Sequence, residues 1–309
     1  MARVIFMGTP QFAIPTLQGL VEHHTVVAVV TQPDRPAGRG RQPAPPPVKQ
    51  FALEHGLPLL QPPRLTVSYA QAALAELEAQ VSVVAAFGQI LRQEVLDLPR
   101  HGTLNVHASL LPRWRGASPV SAAILAGDER TGVTIMLLDA GMDTGPLLAQ
   151  KECPIRPDDT TGTLSERLAQ LGADLLLDTL PRWIEGQITP RPQNQAEATY
   201  SRPLEKKDGL IDWQRSSAEI GRQVRACQPW PGAYTSWGER QIKILRAEPL
   251  AQKPPQEPGT VVQLGAGLAV STGDGYLLLE ELQAAGKRPT SAQAFAHGAR
   301  GFIGARLKT

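Results

Sequence analysis

The sequence predicts an α/β protein: a mainly parallel sheet with helices on both faces, followed by a smaller C-terminal β-barrel domain. Three observations carry this. Through residues 1–188, β-branched apolar runs alternate with helical segments, the pattern of βαβ units on a parallel sheet. Beyond residue 208 the pattern becomes short strands separated by turns, as in small barrels. The length, 309 residues, exceeds one ordinary core and suits two domains.

Arg3–Met7 is a short apolar run ending at Gly8-Thr9-Pro10 and reads as a strand. Phe12 to Val21 reads as a helix capped by Thr9, with Pro10 in its first turn. Val26–Val30 is a second, buried strand. Thr31 to Lys49 then holds six prolines, two glycines and no apolar period. Such a loop inside a compact domain is commonly functional. Helices are expected over 66–80 and 89–97, at Ala117–Ala126 and at Thr160–Ile184. Further strands are expected at Val81–Ala86, Thr103–Val106 and Val133–Leu138. Together these make the first domain Rossmann-like.

Thr189–Lys207 has no apolar period and reads as a linker, which divides the chain into domains 1–188 and 208–309. In the second domain a helix is expected near 216–226 and another near 290–299. Strands are expected at Ala233–Trp237, Gln241–Leu245, Gly259–Gln263, Leu268–Ser271 and Tyr276–Leu282, with a tight turn at Gly273-Asp274-Gly275. Five strands in this length fit an OB-like barrel.

Composition excludes several classes. With 42% hydrophobic and 19% charged residues the chain is not disordered throughout. A net charge of +2 excludes a uniformly basic nucleic-acid protein, but the charge is uneven: −3 over residues 1–188, +2 over 189–207 and +3 over 208–309. Cys153 and Cys227 are too few for a disulfide framework and too far apart for a thiolate zinc cluster. Two free thiols and no apolar run of membrane-spanning length point to a cytoplasmic protein. One glycine, Gly8, ends the first strand, so G-x-G-x-x-G is absent. Gly38-Arg39-Gly40-Arg41 lacks the Lys-Ser/Thr ending of a phosphate loop, and there is no G-x-S-x-G elbow. The six histidines form no H-x-x-x-H pair, so a metal hydrolase is not indicated.

The most informative segment is Asn105-Val106-His107-Ala108-Ser109-Leu110-Leu111-Pro112. Side chains two apart on a strand share a face, so Asn105 and His107 should project together at the strand's carboxyl end, where open α/β sheets bind ligands. An acid follows in the glycine-containing loop Asp139-Ala140-Gly141-Met142-Asp143-Thr144-Gly145. Asn offers a donor to a carbonyl, His a charge-stabilising donor or proton carrier, and Asp a base. The trio suits attack of an amine on a carbonyl.

Asn105-x-His107-x-Ser109-Leu110-Leu111-Pro112, with Asp143 36 residues after His107, resembles the folate-dependent formyltransferase family. Gly8-Thr9-Pro10, the 31–40 loop, Leu111–Ala117, Asp143-Thr144-Gly145, Ile211-Asp212-Trp213 and Pro229-Trp230-Pro231 extend the resemblance over nearly the whole chain, to bacterial members that act on aminoacylated tRNA. The resemblance implies 10-formyltetrahydrofolate as formyl donor and the α-amine of methionyl initiator tRNA as acceptor, with no metal. It implies Asn105, His107 and Asp143 as the catalytic trio. Asp143 relays the amine proton, while Asn105 and a cationic His107 hold the oxyanion. It places the folate against Ser109, Leu110, Leu111 and Pro112, with the pterin near residues 86–92, where Phe87, Gly88, Gln89, Ile90 and Leu91 stand. A monomer is expected.

Three other readings share features with this one. Glycinamide ribonucleotide formyltransferases carry the trio on one domain, which leaves residues 208–309 without a role. Aminosugar formyltransferases carry SLLP-like segments but lack the Pro-Ala-Gly-Arg-Gly loop. An RNA-binding protein with a dead site leaves the intact trio unexplained.

Arg35, Arg39 and Arg41 fall within seven residues among Pro and Gly. Guanidinium groups in such a loop suit phosphate, and the resemblance sends the loop to the acceptor end of the tRNA, with Arg39 as its matching arginine. Lys206 and Lys207 are expected on the tRNA body. Each lost phosphate contact lowers the log–log salt slope of binding by about one. Arg39→Ala is therefore predicted to flatten the salt dependence of tRNA binding by that amount; an unchanged slope contradicts a phosphate role.

Overall fold

The computed structural model describes residues 1–37, 42–65, 68–252 and 254–308. Arg39 and Arg41 lie outside the described residues. The chain forms two compact units. The first comprises Met1–Pro119, Arg130–Pro154 and Ser165–Ser201; the second comprises Val120–Glu129, Ile155–Leu164 and Arg202–Thr309.

In the first unit, β1 (Arg3–Gly8) leads through a 3-10 turn (Gln11–Ala13) into α1 (Ile14–His23). The expected Thr9 cap does not form. Pro15 stands in the first turn of α1, where its missing N–H costs nothing, and the Thr9 hydroxyl donates to the Phe87 carbonyl at 2.9 Å. After β2 (Thr25–Val30) the proline-rich stretch is not one loop. It makes a small hairpin, β3 (Arg35–Ala37) with β4 (Gln42–Ala44), and then opens α2 (Pro47–Glu54), with β5 (Leu59–Leu60) following. Pro47 is a favourable first helical residue, so prolines that read as loop begin a helix. α3 (Ser68–Ala75), β6 (Val81–Ala85), α4 (Gln93–Leu96) and β7 (Thr103–His107) follow, then a two-residue strand β8 (Arg115–Gly116). Next in the chain come α5 (Pro119–Ala126), which from Val120 on belongs to the second unit, β9 (Arg130–Leu137), β10 (Leu147–Pro154), α6 (Thr161–Ile184), which joins the first unit from Ser165, and β11 (Tyr200–Ser201).

The main sheet has the order β10-β9-β7-β6-β1-β2-β5. Pairings from β7 to β5 are parallel; β9 is antiparallel to β7, and β10 to β9. The chain runs outward from β1 through β2 to β5, then returns to β6 beside β1. The carboxyl ends of β1 and β6 thus flank a topological switch point. Its central strands are buried on both faces, which explains their continuous apolar runs. β10 is an edge strand with a mixed, half-exposed sequence, so it carries no apolar run by which to be read. On one face, α6 lies so close that a Cβ on Gly172 would meet Val106 Cγ1 at 2.6 Å. Ile5, Met7, Val84, Phe87 and Leu91 pack with Leu74 of α3 on the opposite face. Val84 is in register with Asn105, so Asn105 and His107 belong to that second face.

The second unit holds α7 (Ser217–Ala226), β12 (Ala233–Trp237), β13 (Arg240–Leu250), β14 (Val261–Leu264), β15 (Gly267–Ser271), β16 (Tyr276–Ala284), β17 (Thr290–Ser291) and α8 (Ala292–Gly298). Its antiparallel sheet has the order β12-β13-β16-β15-β14, with β17 on β16. Its OB-like character is completed by the C-terminal tail. Lys308 exchanges backbone hydrogen bonds with Ser236 of β12, and Ala305 and Gly304 bond to Val261 of β14. α7 is capped reciprocally: the Ser216 hydroxyl accepts from the Glu219 N–H, and the Glu219 carboxylate accepts from the Ser216 N–H. Inside the sheet, Ile211, Trp213, Ile242, Ile244, Leu268 and Leu277 make one core. The Trp213 indole N–H donates to Thr235 Oγ1 at 3.1 Å, which pays the polar cost of burying the ring.

Among the described residues no helix is long and apolar enough to cross a membrane. Both cysteines are free; Cys227 is fully buried, and burial, with Asp208 adding, pushes its thiol up to about 11. At pH 8 the thiol is therefore protonated as well as shielded. A thiol reagent at that pH is expected to label Cys153 in the native protein and Cys227 only after denaturation. Equal rates of labelling contradict this.

Candidate active site

β7 delivers Asn105 and His107, 8% and 6% exposed, to the same face of the sheet. Among the described residues the Asn105 amide makes no hydrogen bond. The His107 ring is held at Nε2, which lies 3.0 Å from the Trp114 carbonyl, while Nδ1 faces Asp143 Oδ2 at 3.7 Å. A carbonyl can only accept, so Nε2 carries the proton of that bond. Both ring nitrogens thus face acceptors, and only the imidazolium offers a proton to each.

Asp143 adopts a left-handed backbone, φ +53°, a conformation Asp tolerates better than most residues. Its Oδ2 accepts from the Gly116 N–H at 2.8 Å. Gly116 itself has φ +100°, and a Cβ there would meet the Ser201 carbonyl at 2.3 Å. Gly145 is equally confined, since a Cβ would lie 1.9 Å from the Leu137 carbonyl. Gly116 thus lets the 112–118 loop lie against the Ser201 backbone, and Gly145 lets the 139–146 loop lie against the end of β9.

A strap formed by residues 191–201 holds both loops. Arg191 exchanges backbone hydrogen bonds with Leu147, and Thr199 O accepts from Arg115 N at 2.8 Å. Thr199 Oγ1 accepts from Trp114 N at 2.9 Å, and β11 pairs parallel with β8. Beneath the strap Arg115 is fully buried. Its Nε and Nη2 donate to Gln193 Oε1 at 3.1 and 2.7 Å, and Nη1 donates to Gln195 Oε1 at 2.8 Å. The Gln193 amide in turn donates to the carbonyls of Asp143 and Gly145 at 2.8 and 2.7 Å.

Ser109 is fully buried, its hydroxyl donating to the Arg113 carbonyl at 2.6 Å and its own carbonyl accepting from Thr134 Oγ1 at 2.6 Å. It shapes the turn from within. Leu110 to Arg113 line an open hollow of about 460 Å³ together with Gln150, Glu152 and Glu197. Phe87 is buried; Gly88 has φ +79°; Ile90 is 87% exposed. The Gln89 side chain is taken up by Leu65 N and Pro62 O. Leu138 packs against both the cluster that holds Phe87 and Leu91 and the cluster that holds Leu111. Gln32 donates to the carbonyls of Phe87 and Gly88, and the exposed Arg35 donates to Gln32 Oε1. Arg35 is therefore brought to the 87–88 segment. In the second unit, Lys207 pairs with Glu205 at 2.8 Å and Lys206 is exposed. The sequence by itself assigns Arg115, Gln193 and Thr199 no role at the site. Two of them stand in a stretch that reads as a linker, where nothing local marks a buried partner.

Among the described residues no group of His, Cys, Asp and Glu could hold a metal ion. Comparison with known proteins gives two family matches: the formyl transferase model over residues 2–180 and the formyl transferase C-terminal domain model over residues 203–300. The chain is 50% identical over 308 residues to the methionyl-tRNA formyltransferase of Roseiflexus castenholzii, covering 99% of this chain and 98% of that protein. It is 49% identical over 301 residues to that of Halorhodospira halophila, covering 97% of each. Among solved structures, the Helicobacter canadensis N-formyltransferase in complex with folinic acid and dTDP-3-aminofucose has the same fold, with a TM-score of 0.66 and 20% identity over 90% of this chain and 98% of that one. HypX from Aquifex aeolicus in complex with tetrahydrofolic acid matches with a TM-score of 0.66 and 18% identity, over 98% of this chain and 48% of that one.

Gly116→Ala is expected to force the strap off β8, since a non-glycine residue in that backbone region costs about 1–3 kcal/mol and the Cβ would strike Ser201 O. A lowered melting temperature is the predicted outcome; an unchanged melting temperature contradicts the confinement.

Proposed function

The chain belongs to the formyl transferase family, and on that premise we propose that it transfers the formyl group of 10-formyltetrahydrofolate to the α-amine of methionyl initiator tRNA. Near-complete coverage of relatives at 46–50% identity that carry this activity in their names supports the choice of acceptor. The product, formylmethionyl-tRNA, serves translation initiation. The protein acts in the cytoplasm as a monomer. Residues 1–188 supply the chemistry, and residues 208–309 hold the tRNA body with Lys206 and Lys207.

One observation carries the mechanism: an unpartnered Asn105 amide stands on the same strand face as His107, whose Nδ1 faces the Asp143 carboxylate at 3.7 Å. The methionyl amine attacks the formyl carbon, the new C–N bond forms, and the bond from the formyl carbon to the folate nitrogen breaks. Asp143 receives the proton the amine gives up, through a water, and the folate nitrogen takes one on leaving. The Asn105 N–H and His107 Nδ1–H hold the developing oxyanion, while the Nε2 bond to Trp114 O keeps the ring from turning away. A preorganised donor of this kind contributes about 2.7–4 kcal/mol to the transition state.

The residues suit the folate. Leu111, Leu138 and Phe87 supply an apolar wall next to the trio, and Leu110, Pro112 and Ile90 remain accessible beside it. Backbone atoms of 87–88 are held by Thr9 and Gln32. Arg35, at the base of the arginine loop, lies next to Gln32, which supports a loop that meets the acceptor stem with Arg39 and Arg41 on its phosphates.

His107→Ala is predicted to lower turnover of methionyl-tRNA by about 10²–10⁴ with the melting temperature nearly unchanged. Turnover within about threefold of the parent contradicts the assignment.

A further inference from the structure

We infer that Gln193, gripped by the buried Arg115, is a positioning residue that sets the conformation of the Asp143 loop. The inference rests on the role proposed above for Asp143. Arg115 is fully buried, and among the described residues it has no carboxylate partner. Its guanidinium is satisfied instead by the amide oxygens of Gln193 and Gln195. Burying a guanidinium without a counter-ion costs several kcal/mol, so a glutamate at 193 would serve Arg115 better than a glutamine.

The reason for a neutral amide lies at its other end. Gln193 Nε2 donates to the carbonyls of Asp143 and Gly145 at 2.8 and 2.7 Å. A carboxylate can only accept, and would stand repelled against two carbonyl oxygens. Position 193 therefore needs one atom that accepts from Arg115 and another that donates to the 143–145 backbone, and an amide supplies both. Drawing both carbonyls to one nitrogen holds Asp143 in its left-handed conformation, φ +53°, and aims its carboxylate at His107 and at Gly116 N–H. Arg115 thereby contributes twice: its side chain orients Gln193, and the residue after it, Gly116, supplies the N–H that receives the carboxylate.

Gln193→Glu separates this role from a purely structural one, because it leaves Arg115 an acceptor while removing the donor to the Asp143 loop. The variant is expected to melt within a few degrees of the parent and to keep both KM values within about twofold. Its kcat for methionyl-tRNA should fall by about 10- to 100-fold, and the pH profile of kcat should be displaced, since the Asp143–His107 spacing has changed. Gln193→Met, which removes donor and acceptor together, should lose melting temperature as well. A Gln193→Glu protein with parental kcat and a superimposable pH profile overturns the inference. A Gln193→Glu protein less stable than Gln193→Met also overturns it, because Arg115 would then not be served by an acceptor alone. Asp143→Asn is measured alongside. If it is inactive while Gln193→Glu behaves as the parent, only the positioning role fails; if it retains parental turnover, both that role and the proposed chemistry fail.

Discussion

The Asp143 carboxylate rests on the backbone N–H of Gly116 at 2.8 Å, and the surroundings of the site depend on keeping these two groups face to face. Neither lies in a long regular element. Gly116 sits in a two-residue strand, Asp143 in a loop, and each has a positive φ. Such backbone holds only where its surroundings over-determine it. Three devices do so: the lack of room for a Cβ at Gly116 and Gly145, the pairing of Tyr200 and Ser201 with Arg115 and Gly116, and the side-chain chain from Arg115 through Gln193 to the Asp143 and Gly145 carbonyls.

The sheet contributes direction. Leu104 and Val106 of β7 face the α6 side, and α6 presses closely enough on Val106 that Gly172 must remain small. The alternation of the strand then sends Asn105 and His107 to the opposite face. There Leu138 packs against the apolar cluster that holds Phe87 and Leu91 and against the one that holds Leu111. An apolar wall, an unpartnered amide, an imidazole and a carboxylate consequently converge at the end of one strand.

Much of this was legible in the sequence, where the determining physics is local. Apolar runs marked β1, β2 and β6, because parallel strands are buried on both faces. Ala233–Trp237 was read with its observed bounds, and Thr160–Ile184 within one residue of α6. Spacing alone placed Asn105 and His107 on one strand face. Elements decided by tertiary contact were not legible. β10 has polar residues at an exposed edge, and α2 begins inside a run of prolines. Thr9 gave its hydroxyl to Phe87 rather than to a helix end. Gln193 stands among Pro, Gln and Arg that carry no period, and its partners, the buried Arg115 guanidinium and the Asp143 and Gly145 carbonyls, are remote in sequence. Ser109 was expected against the folate and is instead fully internal, since its hydroxyl closes the turn on Arg113.

The choice of acceptor is the central claim, and tetrahydrofolate release from 10-formyltetrahydrofolate tests it most directly when methionyl initiator tRNA, a nucleotide-linked amino sugar and water alone are offered in parallel. Rapid release with methionyl-tRNA, matched mole for mole by formylmethionyl-tRNA, and no comparable release with the other two is the predicted result. Release that is as fast with the amino sugar, or with water alone, contradicts it.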